Sequence, residues 1–280
     1  MKCSLIISFK NSTLRLSLLI ESLKQQTEKC FEVIFAHDGY DKDFEAQLND
    51  IKSSLPFDIT YLSSGDAAYR REVVLNRAIE VANSDYLVFI EGGAIPHCQF
   101  IEDHLRLSAY GKVVAAQKIE VPAEISSAIT EQMIASGKLH SYVKKALFLQ
   151  MLKGKHSNFQ ELLRLTNGFL RHLILNDVWE GLSSSNFSIY KEDIISVNGF
   201  DERFDVASEE SDFDLELRLL QGGVFTKQER RMATLYEINN EFPRKTSELS
   251  SQILEESSNE NFSWTSFGII KGEKPATEEE

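Results

Sequence analysis

Glu91 ends a run that changes character sharply. Tyr86-Leu87-Val88-Phe89-Ile90 is mostly apolar, Glu91 is an acid, and Gly92-Gly93-Ala94-Ile95-Pro96 carries turn residues. Such a run reads as a buried parallel strand that delivers a carboxylate to its carboxyl edge, where open α/β sheets bind ligands. A carboxylate there can hold a divalent cation, and the cation a diphosphate. The same pattern also describes a solvated acid at a strand end. Asp38 has a comparable place, after the apolar run 31–36 and His37 and before Gly39. It could accept a hydrogen bond from the imide nitrogen of a pyrimidine, or serve only as the aspartate of an Asp-Gly turn.

A denser acidic feature lies near the end of the chain. Residues 201–218 hold eight acids, Asp201, Glu202, Asp205, Glu209, Glu210, Asp212, Asp214 and Glu216, offset only by Arg203 and Arg218. From Ser208 onward the pattern predicts a helix whose first turn is acidic, which complements the helix dipole. Phe213, Leu217 and Leu220 mark its expected buried face. A dipole accounts for one or two acids and not for eight. One of them could take a proton from an alcohol as a general base. Upstream, Asn186 closes the polar run Gly181-Leu182-Ser183-Ser184-Ser185 before a short alternating strand. It could orient a substrate hydroxyl, or be a turn asparagine.

The elements that must position these groups alternate. Apolar runs predict strands over 3–9, 31–36, 57–62, 86–91 and 113–121. Helical spacing predicts helices over 12–26, 43–54, 69–83 and 99–110. Alternation of this kind means βαβ units on a mostly parallel, Rossmann-like sheet flanked by helices, an α/β fold. Residues from about 123 to 177 read as a helical insert with a basic cluster at Lys144, Lys145, Lys153 and Lys155, which reads as a solvated helix face before a binding patch. Residues 241–280 read as a polar extension ending in an acidic tail.

Composition narrows the function classes. A net charge of -13 over 280 residues argues against nucleic-acid binding and gives no support for docking on anionic lipid. No apolar run reaches the length of a membrane span, and the apolar start over 1–9 fits a core strand better than a secretory signal. Cys3, Cys30 and Cys98 are scattered without ligand spacing, which points to free, buried thiols in a reducing, cytoplasmic setting.

Six segments, taken in order, resemble the family 2 glycosyltransferases of GT-A fold, especially the branch with a galactosyltransferase-like carboxyl-terminal half. They are Ser4 to Ser12, Glu32 to Gly39, Tyr69-Arg70 through Asn76-Arg77-Ala78-Ile79, Tyr86 to Pro96, Ser184 to Ser188, and Val197-Asn198-Gly199-Phe200-Asp201-Glu202 with the acidic helix start beyond it. The resemblance implies one GT-A domain over 1–240. It implies inverting transfer of a sugar from a nucleotide-diphosphate sugar to a hydroxyl of a saccharide or glycoconjugate acceptor, as in polysaccharide synthesis. By position, Ser8, Asp38, Arg70, Asn76 and Glu91 would bind the nucleotide. Trp179, Asn186 and Glu209 would lie at the sugars, and Asp212 with Glu210 would serve catalysis. Mn²⁺ or Mg²⁺ would stabilise the leaving diphosphate.

The chain also departs from the family pattern. The second acid of the metal turn is Gly93, the first aspartate of the Asp-Asp-Gly turn is His37, and the glutamate of the Glu-Asp pair is Ser211. The usual late metal-binding histidine is absent from 233–240, which offers Glu237 and Asn240 instead. Glu91 and Glu237 together are therefore the expected metal ligands. The departures leave an alternative: a non-catalytic GT-A domain that binds a sugar nucleotide or a protein partner.

Overall fold

The structure, a computed structural model, describes residues 1–10, 15–65, 71–116, 118–154, 181–183, 185–238, 245–260 and 262–273. Strands β1 (Cys3–Phe9), β2 (Phe31–His37), β3 (Asp58–Ser63) and β4 (Tyr86–Glu91) are parallel neighbours in the order β3-β2-β1-β4. The sheet continues through β8 (Asn186–Tyr190), antiparallel to both of its neighbours, then β6 (Lys112–Ala116) and β9 (Phe225–Glu229). Every residue of β1, β2 and β4 is buried, which is why these strands read as unbroken apolar runs.

The two faces of the sheet sort by the two-residue period. Leu5, Ile7, Val88 and Ile90 point to a core shared with α1 (Leu16–Lys24), α2 (Lys42–Lys52) and α4 (Phe100–Leu107). Ile6, Leu87 and Phe89 point to the opposite core, filled by α3 (Arg71–Val81), α8 (Lys191–Ser196) and α9 (Glu209–Gln221). Each fully buried Leu, Ile or Phe contributes about 1.5–3 kcal/mol relative to exposure.

Chain order fixes where a ligand can enter. The chain runs β1, β2, β3 towards one edge and then returns to lay β4 on the other side of β1. The carboxyl ends of β1 and β4 therefore border a switch-point crevice.

The expected strand over 113–121 is two strands. β6 stays in the large sheet, while β7 (Lys118–Glu120) joins a small sheet in the order β5 (Ala94–Pro96), β10 (Leu235–Glu237), β7. Under this sheet lies a third core, holding Ile95, Ile119 and Tyr236. The helices of the insert, α5 (Ala123–Ser126), α6 (Glu131–Ala135) and α7 (Leu139–Leu152), complete it with Ile125, Ile134, Leu139, Val143 and Leu147. The rest of the insert, from 155 to 177, lies outside the described residues.

Past residue 244 the chain packs back onto the domain. Helix α10 (Glu248–Glu260) lies along α9, with Ser257 Oγ donating to Asp214 Oδ1 at 2.6 Å and Glu256 on Arg203 at 2.7 Å. Segment 265–272 then straps the turn after α8. Asn198 Nδ2 donates to the carbonyls of Thr265 and Ile270 at 2.6 and 2.7 Å, and Thr265 Oγ1 donates to Asp201 Oδ2 at 2.6 Å. The backbones approach so closely that a Cβ on Gly268 would stand 1.8 Å from the Asn198 carbonyl oxygen.

The thiols are free as expected, but only Cys3 is buried; Cys30 and Cys98 are exposed.

Candidate active site

Ser8 and Glu91 face one another in the β1–β4 register at the switch point. Both are buried, and the Ser8 hydroxyl has no hydrogen-bond partner among the described residues. One strand over, the Asp38 amide donates to the Phe9 carbonyl at 2.8 Å, and the buried Asp38 carboxylate lies 3.3 Å from Lys10 Nζ. His37 fills the place of the missing first aspartate with a structural role. Its ring stacks on Phe9 at 4.4 Å, and its nitrogens meet Tyr61 Oη at 2.7 Å and the Lys10 carbonyl at 3.1 Å. Burial lowers the His37 pKa, which favours the neutral ring.

Glu91 does not face an open edge alone. Arg71, the first residue of α3 and fully buried, places Nη2 3.4 Å from Glu91 Oε1 and Nη1 3.3 Å from Glu72 Oε1. Glu72 Oε1 in turn accepts from Ser211 Oγ at 3.0 Å. A chain of contacts thus links the β4 acid to the first turn of α9. That turn is capped by Ser208, whose side chain accepts from the Ser211 amide, and it carries the buried Asp212. Glu209 is exposed and Glu210 half-buried on the same turn. The sequence reading missed Arg71 and Glu72. Their signal is the Arg70-Arg71-Glu72 run at a helix start. Arg70 and Trp179 lie outside the described residues.

The inner face of α9 corrects the expected one. Phe213 and Leu220 are exposed and Leu217 is half-buried, while Asp212, Asp214, Leu215, Glu216, Arg218 and Leu219 are buried. Charged groups line this face because each finds a partner. Arg218 pairs with Asp214 at 2.7 Å and donates to the Val197 and Gly199 carbonyls at 2.8 Å. Glu216 accepts from the Leu182 amide at 2.8 Å and from Thr226 Oγ1 at 2.6 Å. Asp201 is bound by Arg203 and Thr265, and burial works against the bonds that lower its pKa. Most of the acidic run therefore holds the fold together.

Asn76 and Asn186 are also structural in this geometry. Asn76 Nδ2 donates to the Phe200 carbonyl at 2.9 Å and to Glu202 Oε1 at 3.0 Å, and Asn76 Oδ1 accepts from the Phe200 amide at 2.8 Å. The amide expected to line a nucleotide pocket instead clamps the turn at Gly199. That glycine has φ +72°, and a Cβ there would stand 2.4 Å from Asn76 Oδ1. Asn186 lies opposite Ile90, one residue from Glu91 in register, but its amide is held below the sheet edge. Nδ2 donates to the Ala233 carbonyl at 3.1 Å, and Oδ1 meets His104 Nε2 at 3.1 Å. His104 is fully buried, its Nδ1 is 2.7 Å from Ser188 Oγ, and burial lowers its pKa to about 4.

The metal expectation was that Glu91 and Glu237 together hold Mn²⁺ or Mg²⁺. The small sheet does bring them towards each other. Ile238 donates to the Gly93 carbonyl at 2.9 Å, and Glu237 lies opposite Ala94. Burial raises the Glu237 pKa, with Lys118 opposing and Glu91 adding to the rise. Yet each acid already faces a protein cation, Glu91 on Arg71 and Glu237 on Lys118 at 3.1 Å. Gly93 brings no donor, and among the described residues no group of three His, Cys, Asp or Glu could hold a metal ion. Hard divalent cations take several oxygen ligands, and this donor set does not fit one.

Known proteins give the fold a name. The sequence profile described as "Glycosyltransferase like family 2" matches residues 4–241. No curated sequence matches the chain. Among solved structures, S. aureus TarS superposes with TM-score 0.57 at 13% identity, over 93% of this chain and 39% of that one. TarS 1–349 in complex with UDP gives TM-score 0.55 at 14% identity, over 92% of this chain and 65% of that one. The mannosyltransferase PcManGT from Pyrobaculum calidifontis, in complex with GDP-Man and Mn²⁺, gives TM-score 0.54 at 12% identity, over 85% and 56%. These likenesses carry the GT-A fold, and this chain spans less than two thirds of the length of each of these proteins.

Proposed function

Because the chain belongs to glycosyltransferase like family 2, we propose that it is a glycosyltransferase that moves a sugar from a nucleoside-diphosphate donor to an acceptor hydroxyl with inversion. The observation that carries this reading is the contact chain Glu91–Arg71–Glu72–Ser211, which ties the switch-point acid to the helix turn holding buried Asp212. Asp38, Ser8 and Glu91 form the nucleotide side. Asp212 is the base: it takes the proton of the acceptor hydroxyl as that oxygen bonds to the anomeric carbon. The bond from that carbon to the diphosphate oxygen breaks on the opposite face, and the nucleoside diphosphate leaves with the electron pair. Glu209 and Glu210, on the same turn, border the acceptor.

Ser211 is the departure that most favours the rival reading, a binding domain without catalysis. Its hydroxyl, however, donates to Glu72, so a carboxylate from α3 stands at 3.0 Å from the residue where the family pattern has its own. That contact supports an intact acidic site. The acceptor belongs to polysaccharide or glycoconjugate synthesis in this proposal.

Asp212→Asn tests the assignment. Turnover of the donor is expected to fall by about 10²–10⁴-fold, the usual contribution of a positioned base. Calorimetric affinity for the nucleoside diphosphate is expected to stay within a factor of about two, since removing a base leaves ground-state binding in place. Unchanged turnover would remove Asp212 from the chemistry. Affinity without turnover in the unmodified chain, across UDP- and GDP-sugars and saccharide acceptors, would establish the binding domain instead.

A further inference from the structure

Ala233 has φ +53° and is fully buried. Among the described residues only Asn198 shares this left-handed backbone without being glycine, and asparagine tolerates it where alanine is strained. Such strain persists only where the surrounding groups over-determine it, and it gathers at functional sites. Two buried side chains hold Ala233. Asp103 Oδ2 accepts from its amide at 3.1 Å, and Asn186 Nδ2 donates to its carbonyl at 3.1 Å.

Asn186 is itself oriented. Its nitrogen is given to Ala233, so Oδ1 is the acceptor that faces His104 Nε2 at 3.1 Å, and that ring nitrogen carries the proton. The ring is neutral, so Nδ1 is bare and accepts from Ser188 Oγ at 2.7 Å. Ser188 Oγ in turn accepts from Tyr86 Oη at 2.7 Å. Every proton in this chain points one way, from Tyr86 at the start of β4, through the ring on α4, to the Ala233 carbonyl.

The turn held in this way borders the site. The carbonyl of Thr234 accepts from the His97 amide at 3.0 Å, and β10 then pairs with β5, which sets Glu237 opposite Ala94. The Ile238 amide closes on the Gly93 carbonyl at 2.9 Å. Segment 233–238 therefore clamps the chain that leaves Glu91.

We propose that His104 is a positioning residue for sugar transfer: by orienting Asn186 it holds Ala233 left-handed, so that β10 fixes the Gly92-Gly93 turn and with it the Glu91 carboxylate. His104 acts through these neighbours and touches no reacting atom. The inference rests on the transfer reading, which gives Glu91 to the nucleotide side.

The test is steady-state kinetics with the UDP- or GDP-sugar that the unmodified chain turns over, each variant normalised to folded protein and kept below its unfolding transition. His104→Leu should lower kcat/KM for the donor more than about tenfold, the scale of a misplaced reacting group. His104→Gln should stay within about threefold, because the glutamine amide reaches the place of Nε2 and donates to Asn186. Adding Ala233→Gly to His104→Leu should bring kcat/KM back to within about threefold of the unmodified chain, since glycine takes φ +53° without strain. Should His104→Leu fail to fold, Ser188→Ala removes the donor to Nδ1; it should lower kcat/KM at least about threefold and be repaired by the same glycine. Unchanged kcat/KM in whichever of these two variants folds would overturn the proposal. So would a loss that His104→Gln shares in full and the glycine does not repair. No turnover of any UDP- or GDP-sugar by the unmodified chain would overturn the transfer reading itself, and this proposal with it.

Discussion

Replacing Asn76 with alanine separates two jobs that one side chain was expected to share. Its amide makes three hydrogen bonds, to the Phe200 carbonyl, the Phe200 amide and Glu202. Phe200 is 1% exposed, so water cannot replace what alanine lacks. Each backbone group left unsatisfied costs about 1–3 kcal/mol, and two such groups place the loss at about 3 kcal/mol, with the Glu202 bond a smaller addition. Urea unfolding followed by circular dichroism reads this as a lower midpoint at unchanged slope. Below the transition, the variant is expected to bind nucleoside diphosphate within about twofold of the unmodified protein. The opposite pattern would refute the reasoning. A stability loss under about 0.5 kcal/mol with affinity lowered more than tenfold would mean that Asn76 serves the ligand and that the Phe200 turn holds without it.

Two other expectations follow from buried charge. His104 is neutral in the fold because burial pulls its pKa from 6.5 to about 4, while the unfolded chain takes a proton below 6.5. Stability should therefore fall by about 3 kcal/mol as pH drops from 6.5 through 4, and His104→Gln should flatten that slope; equal slopes in urea titrations across this range would exclude His104 as the cause. Glu91 and Glu237 already face Arg71 and Lys118, so chelation should change calorimetric nucleoside-diphosphate affinity less than about threefold; a loss beyond tenfold would mean the acids exchange those partners for a metal.

What the sequence made legible was whatever a local period can carry. β1, β2 and β4 are buried on both faces, so their positions were plain in the apolar runs, as were the acids at the ends of β2 and β4. The start of α9 near Ser208 was readable because helix starts are marked locally, by acids in the first turn. The inner face of α9 was not. Arg218 is met by the Val197 carbonyl, Glu216 by Leu182 and Thr226, and Asp214 by Arg218 and Ser257, and apolar spacing reports none of this. The bonds of Asn76 to Phe200 were not legible because the two residues are 124 positions apart. The break between β6 and β7 was hidden for the same reason, since β10, which claims β7, is far along the chain. The place of Arg71 is set by Glu91, twenty residues further on, which local spacing does not report.

The strap over Asn198 has a consequence for how the protein is made. A ribosome delivers the strands of the switch point first, and they can pair as soon as they emerge. The turn that supports α9 must wait, because Asn198 is held by Thr265 and Ile270 and Asp201 by Thr265. The turn that carries Asn198 and Asp201 therefore gains these bonds only after translation has passed residue 270. Until then the sheet edge can be in place while this turn still lacks the bonds that close it.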